Sequence, residues 1–157
     1  MVVTWAIATA VFLADFLLKG YLHSRFPFQS IPLIKNIFHI TLVFNKGAAF
    51  GIFQKNGTFL IYVSILFILI LLFLIKHEKV KSKFFLIACG LIIGGALSNL
   101  WDRIFLGYVI DYIDLRVWPV FNLSDSCITV GAGFLLWDSF RKKDKKKKTR
   151  NGKSISC

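Results

Sequence analysis

Four stretches of the chain stay apolar long enough to form membrane-spanning helices: 2–19, 58–75, 84–100 and 126–140. About 20 helical residues cross a hydrocarbon core of roughly 30 Å, so the pattern predicts four spans. The second is the cleanest. From Phe59 to Ile75 it carries no charge, and Tyr62 and Ser64 are its only polar side chains. The fourth is the shortest, interrupted by Gly131 and Gly133, with Trp137 at an interface position. Segment 20–57 reads as extended, with Pro27 and Pro32 early and then Ile37, Phe38, Ile40, Leu42, Val43 and Phe44 in a β-favouring stretch. A small sheet on the membrane surface is expected there. The first span lacks a basic leader and a small-x-small exit, so it reads as retained rather than cleaved.

Composition supports the membrane reading. Of 157 residues, 56% are hydrophobic and only 18% charged, which is too apolar for an ordinary soluble domain. The net charge of +12 would suggest nucleic acid as a partner, but nine of the 20 basic residues follow Asp138. Such a juxtamembrane run fits topology and anionic lipid, and no nucleic-acid partner is expected. The division is therefore one domain over 1–140 and a basic tail over 141–157, which like charge should keep disordered. Loop and tail on one side carry thirteen Lys and Arg against seven on the other, which puts both termini in the cytoplasm. Segments 20–57 and 101–125 then face outward together. Cys89, Cys127 and Cys157 lack metal-like or disulfide-framework spacing and read as packing or tail residues.

Ionisable residues within spans cost at least about 2.5 kcal/mol unless paired or wetted, so each needs a role. Asp15 and Lys19, four apart, share a helical face and either satisfy each other or help hold a site. Asn99, Asp102 and Arg103 follow Gly94, Gly95 and Ala96, whose small size admits a neighbouring helix. Asp102 and Arg103 are adjacent and must reach different partners, as scaffold or as site. Asp111, Asn122 and Asp125 lie on the outer side in apolar sequence. The 14-residue step from Asp111 to Asp125, broken by Pro119, lets the chain turn back, although Asp125 could equally cap the fourth helix. Two carboxyls sharing a site keep one proton between them, so one activates water while the other polarises a carbonyl. His23, His39 and His77 are scattered, which disfavours Ser-His chemistry and a metal site.

Five blocks carry a resemblance: Asp15 to Lys19; Val43-Phe44-Asn45-Lys46-Gly47-Ala48-Ala49-Phe50-Gly51; Gly94-Gly95-Ala96-Leu97-Ser98-Asn99-Leu100-Trp101-Asp102-Arg103; Gly107-Tyr108-Val109-Ile110-Asp111-Tyr112; and Pro119-Val120-Phe121-Asn122-Leu123-Ser124-Asp125. In order and spacing they resemble the bacterial lipoprotein signal peptidase (signal peptidase II) family. The resemblance implies a membrane all-α bundle of four transmembrane helices, with a small extracytoplasmic β-rich cradle and a short outer helix or loop. It also implies an aspartic endopeptidase that cuts prolipoproteins just before a diacylglyceryl-modified cysteine, with Asp111 and Asp125 as the catalytic pair. Asp15, Lys19, Asn45, Gly47, Gly95, Asn99, Asp102, Arg103 and Asn122 fall on the family's supporting and substrate-binding positions. Neither cofactor nor metal is expected, and the enzyme would be a monomer in the bacterial inner membrane. Two positions depart from the commonest pattern: Ser124 stands where alanine is usual, and Ser98 where glycine is usual. Ser124 can donate to a neighbouring carboxylate. The rival reading from the residues alone is a small ion or proton carrier lined by Asp15, Lys19, Asp102 and Arg103.

Overall fold

The computed structural model describes residues 1–26, 29–47, 57–77 and 82–153. In chain order the elements are α1 (Val2–Arg25), β1 (Ser30–Ile34), β2 (Phe38–Asn45), α2 (Gly57–His77), α3 (Lys83–Phe105), β3 (Val109–Asp114) and α4 (Leu123–Lys153). Among the described residues, α1, α2 and α3 are long and apolar enough to cross a membrane. The apolar run of α4 is bounded by Asp125 and Asp138, which keeps it below that standard. The four helices match the expected number.

Helix α3 is the centre of the bundle and packs against α1, α2 and α4. Its glycines explain why. A Cβ on Gly94 would lie 2.5 Å from the Ala8 carbonyl oxygen, and one on Gly90 would lie 2.8 Å from that of Thr4, so α1 fits only against glycine. On the other face, a Cβ on Gly95 would stand 2.6 Å from the Ser124 carbonyl oxygen of α4. Close backbone approach substitutes for the hydrophobic drive that lipid does not supply between helices. Ala8, Leu71, Ile75, Phe85, Cys89, Ile92 and Ile93 fill the space around these seams. Cys89 is fully buried and Cys127 partly so, both as free thiols, whereas Cys157 lies outside the described residues.

The far end of α3 is fixed by side chains. Ser82 caps the helix by accepting the Phe85 N–H, and its hydroxyl donates to Asp138 on α4. Arg141 and Lys142 reach the same carboxylate at 3.4 and 3.3 Å.

The three strands form one antiparallel sheet in the order β1-β2-β3. Asn36, at φ 62°, makes the turn between β1 and β2, a conformation asparagine tolerates better than most residues. Pairing of Val43 with Asp111 and of Asn45 with Val109 joins segment 20–57 to segment 101–125. Leu22, Leu42, Ile110 and Tyr112 form the core beneath the sheet.

Two boundaries differ from the sequence expectation. Helix α1 continues through Gly20 to Arg25 instead of turning extended, because Leu22 is anchored against the sheet core and Gly20 has open space around it. Between α3 and α4 the described chain forms β3 and loop, in keeping with the outer helix or loop that was expected. Helix α4 runs to Lys153, into the stretch expected to be disordered; lysine and arginine are good helix formers.

Replacing Gly94 by alanine should destabilise the protein by about 1–3 kcal/mol, because the contacted atoms are backbone and cannot rotate away. Gly20→Ala, with nothing within 4 Å, should be neutral or raise the Tm. Thermal unfolding of the two variants in detergent checks the contrast.

Candidate active site

Asp111 is placed by the sheet. Strand alternation turns Ile110 and Tyr112 into the core and leaves Asp111 on the opposite face. Asn45, a diagonal neighbour on β2, donates its Nδ2 to Asp111 Oδ2 at 2.9 Å. The Gly47 backbone N–H donates to Asn45 Oδ1, also at 2.9 Å. Since that N–H can only donate, it fixes the amide so that Nδ2 faces Asp111. This gives Gly47 a local task; residues 48–51 of the same motif lie outside the described residues.

Asp125 is placed by the start of α4. The Asn122 Oδ1 accepts the Asp125 N–H at 2.8 Å, and Asp125 Oδ2 approaches the Asn122 N–H at 3.4 Å. This is a reciprocal capping box with Asn122 as the cap. The capping role that the sequence left open for Asp125 therefore belongs chiefly to Asn122. The other Asn122 atom, Nδ2, donates to Asp111 Oδ1 at 2.7 Å and to Asn99 Oδ1 at 3.0 Å. Asn99 in turn donates its Nδ2 to Asp125 Oδ1 at 2.8 Å. Two asparagines bonded to each other thus hold one carboxyl each.

Behind them lies a closed polar cluster. Lys19 is 2% exposed, and its ammonium contacts Asp15 Oδ2 at 2.7 Å, Asp102 Oδ2 at 2.9 Å and Asn99 Oδ1 at 3.0 Å. Asp102 also accepts the Ile110 N–H at 3.2 Å, which ties α3 to β3. Asp15, with no exposed surface, takes further hydrogen bonds from Ser98, Ser124 and Tyr112. As expected from their adjacency, Asp102 and Arg103 part company. Arg103 donates to the Asn99 carbonyl at 3.3 Å and lines the cavity that holds both candidate aspartates. Gly95 admits α4 at Ser124, one residue before Asp125.

The cavity has a volume of about 1110 Å³ and is lined by Asp111, Asp125, Asn45, Lys46 and Arg103 among largely apolar residues such as Trp118 and Phe121. Burial pushes the Asp111 carboxyl up to about 7, with the neighbouring Asp125 charge adding to the rise and the Asn45 and Asn122 hydrogen bonds opposing it. Near neutral pH it can therefore hold a proton. A carboxyl poised in this way beside a second one has the equipment for general acid-base chemistry on a peptide bond.

All eleven residues picked from the sequence converge on this cluster. Tyr112, Ser98 and Ser124 were not among them. Tyr112 carried a faint signal: a tyrosine on the buried face of a strand needs a partner for its hydroxyl, which here donates to Asp15 at 2.9 Å and accepts the Leu123 N–H at 3.0 Å.

Residues 7–141 match the family described as signal peptidase (SPase) II. A lipoprotein signal peptidase of Halothermothrix orenii is 50% identical over 109 residues, covering 69% of this chain and 74% of that protein. Another, from Moorella thermoacetica, is 39% identical over 132 residues, covering 83% of this chain and 88% of that protein. Among solved structures, a bacterial membrane enzyme determined by the in meso method superposes with a TM-score of 0.84 at 28% identity, over 91% of this chain and 90% of that one.

The raised Asp111 value has a stability consequence whose sign is fixed. Stability contributed by a carboxyl of raised pKa is full below its unfolded value near 3.9 and is lost as pH rises through about 7. Asp111→Asn, which cannot ionise, should gain on the wild type between pH 5 and pH 8, by roughly 3 °C or more in Tm. Parallel melting curves at the two pH values check it.

Proposed function

We propose, from the fact that this chain belongs to the signal peptidase II family, that it removes signal peptides from prolipoproteins by aspartic catalysis. Cleavage falls just before a diacylglyceryl-modified cysteine. The observation that carries the aspartic reading is the pair of mutually bonded asparagines that present Asp111 and Asp125 to one cavity.

Asp111 holds the shared proton and Asp125 is the anion. Asp125 takes a proton from water as the oxygen attacks the scissile carbonyl carbon. Asp111 gives its proton to the carbonyl oxygen, and a neutral tetrahedral diol results. The C–N bond then breaks as Asp125 passes its proton to the cysteine nitrogen, while the hydroxyl proton returns to Asp111. Both carboxyls end as they began, with no covalent enzyme adduct. Arg103, at the cavity wall, keeps positive charge beside the carboxyl pair. Asp15, Lys19, Asn45, Gly47, Gly95, Asn99, Asp102 and Asn122 hold the pair in place.

The apolar helices and the apolar lining support a four-span enzyme in the bacterial inner membrane, with cytoplasmic termini, an outward site and the substrate's acyl chains in lipid. It acts as a monomer. The carrier reading gains nothing: the family is one of peptidases, and Asp15, Lys19 and Asp102 pair with each other instead of lining an open path.

Asp111→Asn and Asp125→Asn should each lower cleavage of a diacylglyceryl propeptide by about 10³-fold or more without changing elution from a sizing column. Near-normal turnover in either variant removes that residue from the pair. In the wild type, activity should fall as pH rises past about 7, where the Asp111 proton is lost. A flat rate from pH 6 to pH 9 contradicts the assigned acid.

A further inference from the structure

We propose that Ser98 and Ser124 are positioning residues for this reaction: together they hold the Asp15 carboxylate from two helices, which leaves the Lys19 ammonium shared with Asn99 and so keeps Asn99 aimed at Asp125. The proposal rests on the reading of Asp111 and Asp125 as the reacting pair.

Both hydroxyls donate to the same oxygen, Asp15 Oδ2, each at 2.6 Å. Ser98 is 1% exposed, and Ser124 and Asp15 not at all. Lys19 reaches the same oxygen at 2.7 Å, so three donors meet on one atom from α1, α3 and α4. Each serine immediately precedes a residue of the reacting pair's own network, Asn99 on α3 and Asp125 on α4. One turn of each helix therefore sends a hydroxyl to Asp15, while the next side chain is Asp125 itself on α4 and, on α3, the Asn99 amide that donates to it.

The charges show why neutral donors are useful here. Around the cluster stand Lys19 on α1, Asp102 and Arg103 on α3, Asp111 and Tyr112 on β3, and Asp125 and Cys127 on α4. With Asp15 that makes four carboxyl groups facing two cations. Hydroxyls stabilise Asp15 without adding charge, so Lys19 need not serve it alone. Without them, Oδ2 would keep only the ammonium, which would be drawn toward Asp15 and away from Asn99 Oδ1, now at 3.0 Å. Asn99 Oδ1 would then keep only the Asn122 Nδ2 donor of the two that now fix its amide, and the carboxyl pair would lose nearby positive potential. A carboxyl pair in a less positive field holds its proton to higher pH.

The test uses the full chain in detergent, with Ser98→Ala/Ser124→Ala beside Ser98→Cys/Ser124→Cys, which keeps side-chain bulk and weakens the donor. Infrared titration of the buried carboxyl groups, with Asp111→Asn to assign the band, reads the pair without substrate. The double alanine variant should move the midpoint up by at least about half a pH unit. The cysteine variant should move it in the same direction. With a diacylglyceryl propeptide, kcat on the plateau below the midpoint should fall about 5-fold because Asn99 aims Asp125 less well, while KM stays within about 2-fold, and the pH above which the rate declines should rise with the infrared midpoint. An unmoved or lowered midpoint overturns the proposal, as does a cysteine variant that titrates like the wild type, since bulk alone would then suffice. If the double variants do not fold, Ser98→Ala and Ser124→Ala singly must each give part of the shift. Absence of cleavage by the wild type would sink the proposed function, while the infrared midpoint would still decide the role of the serines.

Discussion

A lysine ammonium with almost no water contact has to be matched within the protein, and Lys19 is the point from which the rest of this structure can be understood. Its partners come from its own helix (Asp15) and from α3 (Asp102, Asn99 and, at 3.4 Å, Ser98). Removing one member of such a buried set strands the others, at a cost of about 3–5 kcal/mol. The ammonium therefore fixes how α1 sits against α3, and the glycine seam on α3 brings the two helices close enough for the contacts to form. Asp102 extends the same constraint to the strand that carries Asp111, through the Ile110 N–H.

The apolar bundle and the polar site are thus one construction. Burial of the sheet's inner face on Leu22 and Tyr112 leaves Asp111 toward the cavity, and closure of α3 on α4 at Gly95 brings Ser124 and Asp125 beside Asp15 and Asn99. Low dielectric keeps the Asp111 carboxyl near neutrality, while the asparagines supply donors that would otherwise come from water.

The sequence was most legible where one element answers to lipid. Charge-free runs announced α2 and the bodies of α1 and α3, and the β-branched and aromatic run Phe38 to Phe44 announced β2. Ends were less legible because tertiary contacts set them: Gly20 looks like a breaker, yet Leu22 two residues on is held by the sheet and the helix persists. In the segment Asn122-Leu123-Ser124-Asp125 two side chains could cap, and local pattern alone does not choose between them. Nine of the eleven candidate residues carry charged or amide side chains, which are conspicuous in apolar sequence, whereas Gly47 and Gly95 were picked out only by the family resemblance. Ser98 and Ser124 were noticed only as departures from a pattern. Their convergence on one oxygen of Asp15 requires three helices to meet, which no local window contains.

Asn122 combines two duties in one amide. Its oxygen caps α4 and its nitrogen holds Asp111 and Asn99. Aspartate could cap but would set a third carboxylate against the pair; serine could cap but would lose the second donor; glutamine keeps the amide on a stem too long for the cap. The position consequently has little room for neutral drift. Any chain that kept this helix start while changing the chemistry would need a second change elsewhere, so fold and reaction are bound to evolve together here.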